Sequence, residues 1–268
     1  MQIDPLCVWK NIQTIKEISP LIHNITNYVV MQQTANALLA IGAVPVMAHA
    51  IDEAESMAKI ANALVLNIGT LSPPWMEGMR LAQTTANVKG IPLVFDPVGS
   101  GATPYRTVAA KSILKQGRVT AIRGNASEIV SLIDDCLGTK GVESQLRAED
   151  HIKEAKKLAI TNHCVVVMSG STDVITDGEM VCLIHNGDPF MTKITGMGCI
   201  ATALMGAFLA SSENSLLGSI HTMIVMGIVG EMAAKGAKGP ASFTTAFIDK
   251  LYQLTLDDIK KYIRAEVV

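Results

Sequence analysis

Pro92-Leu93-Val94-Phe95-Asp96-Pro97-Val98-Gly99 runs from a short apolar stretch straight into an acid, a proline and a glycine. The apolar part does not alternate with polar residues, so both of its faces call for burial. That is the pattern of a strand in a parallel sheet with helices on each side. The same kind of run recurs as Val44-Pro45-Val46-Met47, Leu64-Val65-Leu66, Val119-Thr120-Ala121-Ile122 and Cys164-Val165-Val166-Val167-Met168. Helical patterns fill the gaps at 28–41, 53–62, 74–88 and 150–161. Segments 173–177 and 180–185 flank Asp177-Gly178 and read as a hairpin added at one edge. From Thr195 the pattern is helical throughout, over 197–210, 216–234, 242–254 and 256–264, with Thr255 as an N-cap ahead of Asp257 and Asp258. We expect an α/β layer fold: a mostly parallel central sheet, helices on both faces, an all-helical C-terminal part, and a single domain over residues 1–268.

Composition narrows the class. The chain of 268 residues is ample for a sizeable core. It is 49% apolar and only 17% charged, so it buries several helices on all sides and hides surface in an oligomer. A net charge of -2 with scattered basic residues argues against nucleic acid and anionic membrane surfaces as partners. The most apolar stretch, 216–234, is broken by Ser219, His221, Thr222 and Glu231 and reads as a buried helix, not a membrane span. Residues 1–10 lack the basic and apolar regions of a signal peptide. The five cysteines, Cys7, Cys136, Cys164, Cys182 and Cys199, are odd in number and form no C-x-x-C, a cytoplasmic pattern in which Cys164 and Cys182 are reduced core thiols. The six histidines show no metal-ligand spacing; His151 and His163 read as solvated and His221 as a core histidine.

Ligands of an open parallel sheet bind beyond the carboxyl ends of its strands. Polar residues collect there: Asn67 and Gly69, Asp96, Arg123-Gly124-Asn125, and Ser169-Gly170-Ser171. Asp96 either holds a hydrated magnesium ion or caps its own turn. Arg123 is placed to grip a phosphate with two donors. Asn125 caps a helix in whose first turn Glu128 meets the dipole favourably. Thr195-Gly196-Met197-Gly198-Cys199 opens a strongly apolar helix. The N–H groups of Gly196, Met197, Gly198 and Cys199 form an anion site suited to a transferring phosphoryl group. Gly196-x-Gly198-x-x-Ala201 copies a dinucleotide fingerprint without its strand or its acid, and no G-x-x-x-x-G-K-[ST] occurs. Cys199 lies in the first turn, where the dipole lowers a thiol pKa; it either works beside a reacting hydroxyl or packs. The segment from His23 to Tyr28 precedes a helix and could place Asn24 in a pocket, while Met47-Ala48-His49 closes the strand at 44–46.

Five ordered motifs resemble the hydroxyethylthiazole kinase family: Leu21-Ile22-His23-Asn24-Ile25-Thr26-Asn27-Tyr28, Met47-Ala48-His49-Ala50, Asp96-Pro97-Val98-Gly99, Arg123-Gly124-Asn125-Ala126-Ser127-Glu128 and Gly239-Pro240-x-Ser242-Phe243. The resemblance implies a ribokinase-like fold and phosphorylation of 4-methyl-5-(2-hydroxyethyl)thiazole by ATP and magnesium in thiamine salvage. It implies a cytoplasmic homotrimer with sites near subunit boundaries. By the same resemblance Arg123, Ser169 and Asn125 bind ATP; Met47, Gly196 and Asn24 contact the thiazole; and Asp96 and Glu128 form the magnesium shell. Cys199 stands beside the substrate hydroxyl, where related sugar and pyrimidine kinases carry an aspartate. That difference argues against a pyrimidine kinase or a nucleotide-hydrate dehydratase. The family's usual Thr-Gly-Thr-Gly-Cys is Thr195-Gly196-Met197-Gly198-Cys199 here. Met197 leaves open a nucleotide-binding regulator that has lost turnover.

Overall fold

A computed structural model of the chain describes residues 3–133 and 146–268, which leaves Cys136 outside the described residues. In chain order come α1 (Pro5–Ile18), β1 (Leu21–Ile25), α2 (Met31–Ile41), β2 (Val44–Val46), α3 (Ile51–Ile60), β3 (Ala63–Asn67) and α4 (Pro73–Lys89). Then follow β4 (Leu93–Asp96), α5 (Pro104–Gln116), β5 (Ala121–Asn125), α6 (Ala126–Ser131), α7 (Ile152–Asn162) and β6 (Val165–Ser169). The chain closes with β7 (Asp173–Thr176), β8 (Val181–Ile184), α8 (Met197–Ala210), α9 (Ser215–Ala234), α10 (Pro240–Gln253), α11 (Leu256–Tyr262) and β9 (Ala265–Val267).

The strands form one nine-stranded sheet in the order β2-β1-β3-β4-β5-β6-β7-β8-β9. Pairing is parallel from β2 across to β6 and antiparallel from β6 to β9. Each face carries its own core. Ile22, Val65, Val94, Ala121 and Val167 pack under α8 and α9, with α1 and α2 beside them. Ile25, Leu66, Phe95, Ile122 and Met168 pack against α3, α4, α5, α6 and α7. Side chains alternate along a strand, so these sets interleave without mixing. Helix α8 settles deep on the sheet, because a Cβ on Gly206 would come within 2.9 Å of Val65 and 3.1 Å of Ile22.

The expected strands, the edge hairpin and the long helices are present. Thr255 caps α11 and forms a capping box with Asp258, its Oγ1 accepting the Asp258 N–H at 3.2 Å. Cys164 and Cys182 are buried free thiols. His221 is buried and 3.1 Å from Asn11, while His163 is exposed.

Two expectations change. The segment before α2 holds an unexpected strand: His23 and Asn24 lie in β1, flanked by β2 and β3. Its polar residues bond to backbone carbonyls: His23 Nε2 donates to Ala48 at 2.6 Å, and Asn24 Nδ2 to Ile22 at 2.8 Å. The C-terminal part is helical only as far as Tyr262, and β9 then pairs with β8. Helices α1, α5 and α6 complete the layers. Asp4 accepts the Leu6 N–H at the head of α1, and Thr103 caps α5 ahead of Pro104.

Helix α4 presses Gly78 on the Met47–His49 segment: a Cβ there would lie 2.5 Å from the His49 carbonyl oxygen. In an open helix, Gly→Ala gains about 1 kcal/mol. Here overpacking reverses the sign, and we expect Gly78→Ala to lose about 1–3 kcal/mol in urea unfolding. Stability at or above that of the wild type would contradict the close approach.

Candidate active site

The period of two along each strand decides where the site lies. On β1, β3, β4, β5 and β6, the apolar residue facing α8 is followed two positions on by a polar one: Ile22 by Asn24, Val65 by Asn67, Val94 by Asp96, Ala121 by Arg123 and Val167 by Ser169. All of these side chains emerge on one face, at the carboxyl ends, where the N-terminus of α8 arrives.

Asp96 is almost fully buried. Its Oδ2 accepts from Thr202 Oγ1 at 2.7 Å and from Asn67 Nδ2 at 3.0 Å, while Oδ1 has no partner. Asn67 Oδ1 accepts the Gly69 N–H at 2.9 Å and Asn27 Nδ2 at 3.0 Å. Asn27 Nδ2 also lies 3.4 Å from Cys199 Sγ. Arg123 donates from Nη2 to Ser169 Oγ at 2.6 Å, and its Nε is buried without a partner. The guanidinium packs against Gly198, where any Cβ would collide with it. Gly196 takes φ 89° and abuts Val30, so neither a Cβ nor an ordinary backbone suits that position. Met197 turns its side chain into the core.

Glu128 is held from both sides. Its Oε1 accepts the Gly99 N–H at 2.8 Å and its Oε2 the Asn125 N–H at 2.9 Å, while Asn125 Oδ1 accepts the Glu128 N–H at 2.9 Å. This capping box fastens the β4–α5 loop to the head of α6. Arg106 fastens the same loop to the one after β3, donating to the carbonyls of Ile68 and Val98 at 2.8 Å each and of Gly69 at 3.0 Å.

The structure thus brings Asp96, Arg123, Ser169, Gly196, Gly198 and Cys199 to one face, with Asn125 and Glu128 directly behind. Met47 lies in the half-buried segment after β2, and Asn24 uses its amide N–H on its own strand. Sequence reasoning missed Asn27, Thr202 and Arg106, and gave Asn67 no role. Cys199 and Thr202 stand three apart on α8 and therefore share a helix face, which was the available signal.

Burial dominates the charges. It raises the Asp96 carboxyl, against the pull of Arg123 and the bonds from Thr202 and Asn67. Burial, then the Asp96 charge, push Glu128 up to about 7, opposed by the N–H groups of Gly99 and Asn125. The expectation that the α8 dipole lowers the Cys199 thiol is overturned: burial and the neighbouring Asp96 push it up to about 12. At neutral pH Cys199 is a thiol.

Asp173, at the head of β7, is buried and pushed up to about 7 despite the Gly170 N–H it accepts at 3.0 Å. Its native pKa exceeds its unfolded one, so the native state binds the extra proton between them. Stability from this residue is full at low pH and falls as pH rises towards about 7. Asp173→Asn keeps the acceptor for Gly170 and loses the titration. We expect its unfolding free energy to gain on that of the wild type from pH 4 to pH 8; parallel curves would contradict the assignment.

Comparison with known proteins places this geometry. The model of the hydroxyethylthiazole kinase family matches residues 12–257. A hydroxyethylthiazole kinase of Leptospira biflexa is 49% identical over 257 residues, 96% of each chain. The solved structure of a hydroxyethylthiazole kinase from Pyrococcus horikoshii superposes with TM-score 0.90 at 39% identity, covering 97% of this chain and 98% of that one. A ribokinase-like superfamily protein from Enterococcus faecalis shares the fold, with TM-score 0.65 at 10% identity over 94% of this chain and 95% of its own. With nearly its whole length matched and the motif residues gathered at the strand ends, the chain belongs to the hydroxyethylthiazole kinase family.

Proposed function

We propose that the chain transfers the γ-phosphate of ATP to the primary alcohol of 4-methyl-5-(2-hydroxyethyl)thiazole, giving the phosphooxyethyl thiazole and ADP, in thiamine salvage and biosynthesis. The observation that carries this reading is the close approach of Arg123 to Gly198 at the head of α8. A guanidinium and the positive end of a helix repel each other unless an anion lies between their donors. A triphosphate supplies that anion.

Arg123, Ser169 and Asn125 bind the phosphates, and the N–H groups of Gly196, Met197, Gly198 and Cys199 meet the charge on the transferring group. Asp96 fits a hydrated magnesium ion, since its Oδ1 is a buried acceptor with no partner. Glu128 stands behind it with both oxygens on backbone N–H groups. When bound, the ion neutralises phosphate charge. Met47, Gly196 and Asn24 line the thiazole side. Cys199 Sγ accepts from Asn27, which leaves its S–H directed elsewhere, towards the incoming alcohol. A thiol held near 12 is a poor base, and positioning plus electrostatics carry the transfer. Met197 keeps its side chain in the core, which supports an anion site built from backbone N–H groups.

The working assembly in this reading is a cytoplasmic homotrimer with its sites near subunit boundaries. Tyr28 and Val29, beside Asn27, are 61% and 69% exposed, which supports a neighbouring chain covering them.

ADP release from ATP and magnesium tests the reaction: the hydroxyethylthiazole should accelerate it, and hydroxymethylpyrimidine should not. Among folded variants we expect Arg123→Ala and Asp96→Ala each to lose about 10²–10³-fold in kcat. Cys199→Ala should lose far less. Complete loss in Cys199→Ala would reverse the assignment and make the thiol the base.

A further inference from the structure

Asn27, Asn67 and Thr202 belong to one buried hydrogen-bonded chain that runs from Cys199 to Asp96. Its polarity is set at one point. The Gly69 N–H can only donate, and it donates to Asn67 Oδ1. Turning the Asn67 amide over would set N–H against N–H, so Nδ2 is the group that faces Asp96. Asn27 then donates to the same Asn67 oxygen and keeps its other N–H for Cys199. From Asn27 the donors run two ways, to Cys199 and through Asn67 to Asp96, and Asp96 is required to accept.

Thr202 closes the arrangement from α8. Its hydroxyl is also 3.1 Å from the Gly198 carbonyl, the back-bond common for threonine in a helix. The hydroxyl has one proton, and a carboxylate at 2.7 Å is the stronger acceptor. Asp96 is therefore asymmetric: Oδ2 takes two donors and Oδ1, equally enclosed, takes none.

We propose that Asn67 and Thr202 are positioning residues that hold Asp96 by Oδ2, so that Oδ1 is the oxygen presented to the hydrated divalent cation accompanying the nucleoside triphosphate. The inference rests on the reading of Asp96 as the cation-facing carboxylate. Its consequence is that a hydroxyl and an amide that touch neither substrate nor metal set the cation affinity of the site. Such partners typically govern about 10–100-fold in metal affinity.

The test is a titration of Mn²⁺ followed by electron paramagnetic resonance, in the presence of the β,γ-imido analogue of ATP, so that it needs no turnover. Thr202→Val keeps the shape and removes the hydroxyl; Thr202→Ser keeps the hydroxyl. We expect Thr202→Val to bind Mn²⁺ about 10–100-fold more weakly and to need correspondingly more Mg²⁺ for half-maximal rate. Its affinity for the analogue in EDTA should be unchanged, and Thr202→Ser should lie near the wild type. If Thr202→Val does not fold, Asn67→Ala decides by the same readout. Wild-type Mn²⁺ affinity in the folded variant, even with lowered stability, overturns the proposal. A weakened Mn²⁺ site in a protein whose wild type shows no thiazole-stimulated ADP release would support the positioning role and reject the proposed activity instead.

Discussion

A carboxylate enclosed as deeply as Asp96 gives up its charge unless the protein answers it. The answer comes from several elements: Asn67 at the end of β3, Thr202 on α8 and Arg123 on β5. None of these is local to β4. The register of the parallel strands aligns Asn67 with Asp96, and the seating of α8 on Gly206 brings Thr202 down to it. The packing of the sheet and the chemistry of the site are therefore one problem. A slip of one residue in β4 would turn Asp96 onto the opposite face, into the core under α4 and α5, with no partner at all.

Much of this was legible in the sequence because strand side chains have a fixed period. Leu64-Val65-Leu66-Asn67 and Pro92-Leu93-Val94-Phe95-Asp96 state both the burial of the strand and the face on which its last polar residue emerges. Strand β1 escaped because His23 and Asn24 interrupt its apolar run, and the carbonyl that His23 meets belongs to Ala48, elsewhere in the chain. Strand β9 is three residues long and owes its existence to pairing with β8, far away in sequence. The short-range signals held. Thr255, Asn125 and Asp177 do what their residue types predict, because a cap or a turn is settled within a few residues. Failure came where a local rule met a tertiary field. The α8 dipole favours a thiolate at Cys199, yet burial and the Asp96 charge outweigh it.

Glu128 shows why a single role per residue is too narrow. Its carboxylate looks like a favourable charge at a helix head, and the capping box with Asn125 agrees. The second oxygen reaches across to Gly99, whose φ of 73° turns its N–H back towards α6. Together with Arg106, this bond holds the loop after Asp96 against the segments on both sides. The acid that shapes the rim of the site is thus also close enough for the Asp96 charge to raise it. Any charge brought to the rim acts on both carboxylates.

The same crowding suits a neutral side chain at position 199. Asn27 supplies an N–H that would suit a carboxylate as well as a sulfur. What differs is the neighbour. Burial, and then the Asp96 charge, already raise the thiol at position 199. A second carboxylate there would compete with Asp96 for the field of Arg123, and one of the two would take up a proton. A neutral thiol avoids the contest and, in the proposed reaction, leaves the positive end of α8 and the guanidinium for the phosphates and Asp96. For the proposed reaction such a site forgoes a strong base and keeps its electrostatics, an exchange that phosphoryl transfer tolerates because little of its barrier lies in proton removal.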